Sequence, residues 1–346
     1  MKRTPQMTGN DVQPGKRSGL SRGLKALVFI IVIAAVGYMI RISSNCVTGR
    51  CAPDGNPYDD KMGTLEKTDP ALIGYREMKP ISTGLREPRG MTLDSAGNIY
   101  VAGDYAIRIF TPTGKSLRDI KTSRKPYALS IDQDGTIYAA MKDHIEVLAA
   151  DGKTSAVWDS AGKRAYFSSI AVTKEYLWAA DAGNRIVLRY NKQGSIVGTF
   201  AARDSSKKAP GLQVPSPYVD LAPTADGGVW VSNPGLHTLE RYASDGMMVK
   251  SWGKYSFAID GFSGCCNPTN FAMMSDGRFV TSEKGIPRVK VYQSDGTFRS
   301  VVAAREQFRP DTAGLDIAID KKGSILVLDP GTGSIRIFIE KGKAKQ

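Results

Sequence analysis

Between Pro88 and Lys341 the apolar and polar positions recur six times in one order. A short apolar stretch is followed by a polar turn, a second apolar stretch ending near an acid or amide, and a third whose apolar residues alternate. The clearest copies are Pro88 through Asp94 with Gly97 and Ile99-Tyr100-Val101, and Pro126 through Asp132 with Gly135 and Ile137-Tyr138-Ala139. Two more start at Pro268 and Gly314, and the turn glycine falls nine residues after the first position in all four. Divergent copies start at Phe167, which lacks the glycine, and at Pro217, which carries one inserted residue. The steps between first positions are 38, 41, 50, 51 and 46 residues, near the period of about 40–50 expected of propeller blades.

Each copy predicts strands. Apolar residues alternate, as in Ile107 and Ile109, with Val, Ile and Tyr prominent, and the spacing of three and four that a helix needs is absent. Glycine and aspartate punctuate the runs because tight hairpins require residues that tolerate positive φ. A further glycine turn and an outer strand follow in five copies, for example Gly114 then Ser116 to Ile120. After Phe338 the sixth copy has only a short Lys-rich tail. An uncovered strand edge invites aggregation, so Ile73 to Ser82, just ahead of the first copy, is expected to supply the missing strand and close the ring.

These repeats resemble the NHL family of β-propellers. Asp181-Ala182-Gly183-Asn184-Arg185-Ile186 matches the closing segment of that family's repeat, with looser echoes in Asp104 with Arg108, Glu283 with Arg288 and Asp329 with Arg336. The resemblance implies an all-β, six-bladed propeller over 72–346. It leaves function open, because this architecture hosts enzymes, binding modules and scaffolds alike.

Ahead of the propeller, Ala26 to Ile40 carries no charge, and Lys25 and Arg41 bracket it. Those two side chains can snorkel to the headgroups and extend the run toward the roughly 20 residues a bilayer requires. The excess of Lys and Arg before the run keeps the tail cytoplasmic. The expected organisation is a basic cytoplasmic tail over 1–23, one transmembrane helix over 24–41 and an extracytoplasmic stalk over 42–71. That predicts a single-pass cell (inner) membrane protein with a periplasmic propeller. A cleaved signal peptide is the competing reading.

The net charge of +13 divides unevenly. Residues 1–41 hold seven Lys or Arg and one Asp, +6 in all, which leaves +7 on the external part. No nucleic-acid partner is implied; the remainder suits a solvated basic surface or an acidic partner. Four cysteines form two sets, Cys46 with Cys51 behind the apolar run and the adjacent Cys265 and Cys266. In an oxidising compartment they are disulfide candidates, and three pairings are open.

Candidate binding residues come from the lead-in positions of the blades. Arg86, Arg89, Lys125, Tyr127, Tyr166 and Tyr218 predict a ring of cations and phenols at one channel mouth, suited to a carboxylate, a phosphate or a planar aromatic ligand. Cys265, Cys266 and Asn267 join them as a redox-active or ligand-covering element. The acids and amides that end the second strands, Asp104, Asp143, Asp181, Asn233, Glu283 and Asp329, recur in every copy and read as turn caps rather than metal ligands. The chain holds only His144 and His237, too few for a His-rich metal centre of the kind that NHL-type lyases use; His144 reads as a surface residue. The repeats carry neither a Cys-x-x-Cys-His haem signature nor a Gly-x-Ser-x-Gly elbow. No cofactor, metal or catalytic residue is predicted. The expected function is a protein- or ligand-binding scaffold with an extracytoplasmic protein partner, such as a redox complex to which it attaches. The alternative is an enzyme at the mouth, either a hydrolase or lyase or a thiol-dependent redox protein using Cys265 and Cys266.

Overall fold

The computed structural model describes residues 67–204 and 210–342. The predicted tail and transmembrane helix, Cys46 and Cys51, and nearly all of the stalk lie outside them. Among the described residues no helix is long and apolar enough to cross a membrane.

Five copies are four-stranded antiparallel meanders, innermost strand first, and the sixth supplies three strands to a five-stranded sheet. Blade 1 runs Pro88–Leu93, Ile99–Gly103, Ala106–Phe110 and Ser116–Lys121. The inner strands of blades 2 to 6 are Ala128–Ile131, Phe167–Val172, Leu221–Pro223, Asn270–Met273 and Asp316–Ile319. Each follows one of the first positions read from the sequence. The turn glycine behaves as its spacing requires. Gly97 sits at φ 84, a region an L side chain rarely adopts, while Asp94 Oδ1 accepts from Ala96 N and Asn98 N at 2.9 and 2.8 Å. Blade 4 has the shortest inner strand, because Pro215, Pro217 and Pro223 offer no N–H to a ladder.

The segment expected to close the ring does so. Tyr75–Glu77 and Ile81–Ser82 both pair antiparallel with Ser334–Glu340, the third strand of blade 6. Tyr75 lies opposite Glu340 and Ile81 opposite Ile335. The strand comes in two pieces because Pro80 cannot donate to the ladder; Met78 N, between them, donates to Ile337 O at 2.7 Å.

The apolar core is divided rather than central. Six clusters fill the six gaps between neighbouring blades, such as Tyr138, Trp158, Phe167 and Tyr190 between blades 2 and 3, and Leu85, Val101, Leu328 and Ile335 between blades 6 and 1. The blades therefore hold one another, and the axis is left to polar side chains.

Candidate functional site

The recurrent acids and amides fix the geometry of one mouth. At the end of the second strand of blade 1, Asp104 accepts from Arg86 N and Glu87 N at 2.6 and 3.0 Å. Asp181 accepts from Tyr166 N at 3.0 Å, and Asn233 from Gln213 N at 2.9 Å. Ser263 N donates to Glu283 at 3.2 Å. These four side chains cap the loops that lead into their own blades, and those loops carry the mouth side chains, whereas Asp143 accepts from Ser160 Oγ and Asp329 from Gly331 N, both at 2.9 Å. Asp181 also accepts from Asn184 N at 3.0 Å, which explains the Asp-Ala-Gly-Asn sequence. Gly183 is required there, since a Cβ would stand 1.8 Å from Arg164 O.

Arg86, Arg89, Tyr127, Tyr166 and Tyr218 line a mouth cavity of about 360 Å³. The Arg89 guanidinium lies 4.4 Å from the centroid of the Tyr127 ring, and Tyr127 meets Tyr166 edge to face at 5.1 Å. Glu87, not singled out in the sequence, sits among the cations: its Oε2 accepts from Arg89 Nη2 at 3.0 Å and from Lys125 Nζ at 2.9 Å. Lys125 reaches the cluster only through Glu87. The hydrogen bonds to Lys125 and Arg89 hold the Glu87 carboxyl below the usual range. Arg89 Nε is buried and has no hydrogen-bond partner among the described residues.

Cys265, Cys266 and Asn267 are not among the residues lining this cavity. Asn267 is consumed by its own loop, donating to Ser263 O and Lys284 O at 2.6 and 2.9 Å and accepting from Lys284 N at 2.8 Å. The two cysteines stand unbridged, exposed at Cys265 and buried at Cys266. Lys284, whose ammonium stands 5.4 Å from the Tyr218 ring, links this loop to the mouth.

Behind the mouth a channel of about 400 Å³ runs between the inner strands. Its wall holds Gly90, Ala128, Ser169, Asp220, Asn270 and Asp316, the same repeat position in each blade. Asp220 accepts from Phe271 N of the next blade at 2.8 Å, and Asp316 from Met91 N of blade 1 at 2.6 Å. Ser130 and Ser169 accept in the same way from Val172 N and Leu221 N, at 3.0 and 3.2 Å. The channel polar groups therefore hook blade to blade. Burial raises the Asp220 carboxyl to about 6. Burial first, then the charge of Asp220, raises Asp316 to about 8. Burial thus disfavours charge on both carboxyls, and on Asp316 the more because it also faces the charge of Asp220. Asn270 Nδ2 stands 3.5 Å from Asp316 Oδ1, and its own Oδ1 is buried without a partner among the described residues.

Among the described residues no three or more His, Cys, Asp or Glu side chains gather as a metal site. His144, read as a surface residue, is largely buried, with Nδ1 2.9 Å from Asp143 Oδ1.

No family model matches the chain, and no curated protein matches it. Solved structures match it in fold. A gluconolactonase from Xanthomonas campestris is 17% identical at a TM-score of 0.58, covering 80% of this chain and 96% of its own. Virginiamycin B lyase from Staphylococcus aureus is 12% identical at 0.54, covering 76% and 99%. The WD40 propeller domain of Doa1 is 11% identical at 0.55, covering 78% and 98%. At such identities the likeness is one of fold alone.

Proposed function

We propose that the chain is a membrane-anchored, extracytoplasmic propeller of NHL-like type that works as a binding scaffold. Its mouth receives an anionic group carried beside a planar ring, presented by an extracytoplasmic protein partner. The observation that carries this reading is the convergence of Arg89, Tyr127, Tyr166 and Tyr218 on one cavity, with a buried guanidinium Nε lacking a partner. An anion there would complete the hydrogen bonding of Arg89, and the phenol rings would flank the ligand's ring. The uncharged run Ala26 to Ile40 supports the anchor.

The test is calorimetric titration of the detergent-solubilised full chain with phenyl phosphate. Saturable binding is expected, weakened at least roughly tenfold by Arg89→Ala, the loss of one charge-assisted bond of about 1.5–3 kcal/mol. Absence of binding, or equal affinity in the variant, would overturn the reading.

A second reading has its own observation. Asp316 and Asp220 both line the channel behind the mouth, with carboxyls raised by burial, and such pairs can divide acid and base roles. A hydrolase or lyase would use them.

A further inference from the structure

The segment from Gly261 to Pro268 leads into the inner strand of blade 5 and carries the adjacent cysteines. Their Sγ atoms stand 2.7 Å apart, only a little beyond the roughly 2.05 Å of a sulfur–sulfur bond. The two differ sharply in access, Cys265 being exposed and Cys266 only 2% exposed.

Their mount is rigid. On one side Asn267 braces the loop internally through Ser263 O and clamps it to Lys284 through two bonds. On the other, Lys290 Nζ donates to Gly261 O at 2.6 Å and to Ile259 O at 3.0 Å. Glu283, which anchors Ser263, is itself held by Arg288 at 2.8 Å and Lys290 at 2.6 Å. The loop that carries the sulfurs is thus held by a buried ionic frame.

The surroundings of Cys266 favour a thiolate. Burial pushes its thiol up, but the Cys265 S–H, the Ser216 hydroxyl and the Lys284 ammonium outweigh this and lower it. Ser216 Oγ is buried and makes no hydrogen bond among the described residues. Cys265 moves the other way, raised by its hydrogen bond to Cys266 and by burial.

We propose that Cys265 and Cys266 are a thiol–disulfide couple, closed by exchange with an external disulfide that engages Cys265. The exposed Cys265 sulfur, once deprotonated, attacks one sulfur of the external disulfide. A mixed disulfide forms at Cys265, and one external thiolate leaves. Cys266 Sγ then attacks Cys265 Sγ, forming the bond between the adjacent residues and expelling the second external thiolate. Two electrons pass to the external disulfide, and the two protein thiol protons end on the two thiols released. The buried, thiolate-favouring cysteine is the resolving one, since its target is already beside it, and the exposed one meets the partner.

Peptide mass mapping of the reduced full chain, alkylated after exposure to oxidised glutathione, tests this. The peptide holding both cysteines is expected to lose two hydrogen masses, escape alkylation and retain no glutathione, and dithiothreitol should reverse the change. Cys266→Ser should retain one glutathione on Cys265. Cys265→Ser should take it up roughly tenfold more slowly, because thiol reactivity follows access as well as thiolate fraction. Should either variant fail to fold, the wild-type map alone decides. Thiols that stay open to alkylation, a stable glutathione adduct in the wild type, or a cross-link to Cys46 or Cys51 would each overturn the proposal.

Discussion

Lys290 in blade 5 and Arg336 in blade 6 are each the third residue of a third strand, opposite Thr281 and Val327 in register, and they spend their charge differently. Lys290 turns inward to Glu283 of its own blade, and both side chains are fully buried. Arg336 turns to Glu77, two bonds of 2.7 Å to a residue 259 positions away in sequence. That carboxylate is 29% exposed. One charge therefore stiffens a loop within a blade, and the other fastens the two ends of the chain. The repeat fixes where a cation stands; the neighbouring segment decides what it holds.

The largest expected effect tests the fastening itself. Deleting 73–82 removes both strands paired with Ser334–Glu340 and exposes Ile335 and Phe338, which are 0% and 1% exposed when the ring is closed. The cooperative thermal transition should be lost or its midpoint should fall further than for any single substitution, while deleting 1–22 should leave it in place. Equal midpoints for the two deletions would refute closure by this segment.

The next effect separates the two cations. Glu283→Gln leaves Lys290 and Arg288 buried without their counter-charge and should cost about 3–5 kcal/mol. Glu77→Gln removes a partly exposed carboxylate and leaves the buried Arg336 with Asp329, 3.6 Å away, as its counter-charge, so the loss should be about 1 kcal/mol. Urea denaturation of the two variants gives the comparison directly; similar costs would mean that the dry and wet pairs do not differ in the way their burial implies.

The smallest effect is in pH. Burial would raise the Glu283 carboxyl, but Lys290 and Arg288 outweigh it and bring it down from 4.5 to about 2. A carboxyl lowered on folding adds stability that is present above its unfolded value and is lost as pH falls through the folded one. The wild type should lose stability between pH 4.5 and about 2, and Glu283→Gln should flatten that part of the profile. A variant curve parallel to the wild type would show that the pair contributes nothing to acid unfolding.

The fold was legible because six copies of one pattern leave little choice of architecture, and even the closing strand followed from the missing outer strand after Phe338. The capping role of Asp104, Asp181 and Asn233 was legible for the same reason, since a side chain that recurs in every blade points to something every blade needs. The channel acids were not. Asp220 and Asp316 share their repeat position with Gly90, Ala128 and Ser169, and the one-residue insertion in blade 4 hides the alignment of Asp220. Glu87 escaped notice because a carboxylate between two cations in space lies beside neither Lys125 nor the Tyr127 ring in sequence. The surroundings of Cys266 were equally out of reach, since adjacency in sequence does not fix the company of Lys284 and Ser216.

The seam of the ring has a mechanical side. Lys341 N donates to Gly74 O at 2.8 Å, so the chain enters and leaves the propeller at the same spot, on neighbouring antiparallel strands. A pull that drives those two ends apart meets the backbone hydrogen bonds one after another, as a zipper does, instead of loading them together in shear. The joint whose removal should cost the ring most is therefore the one that tension would open first.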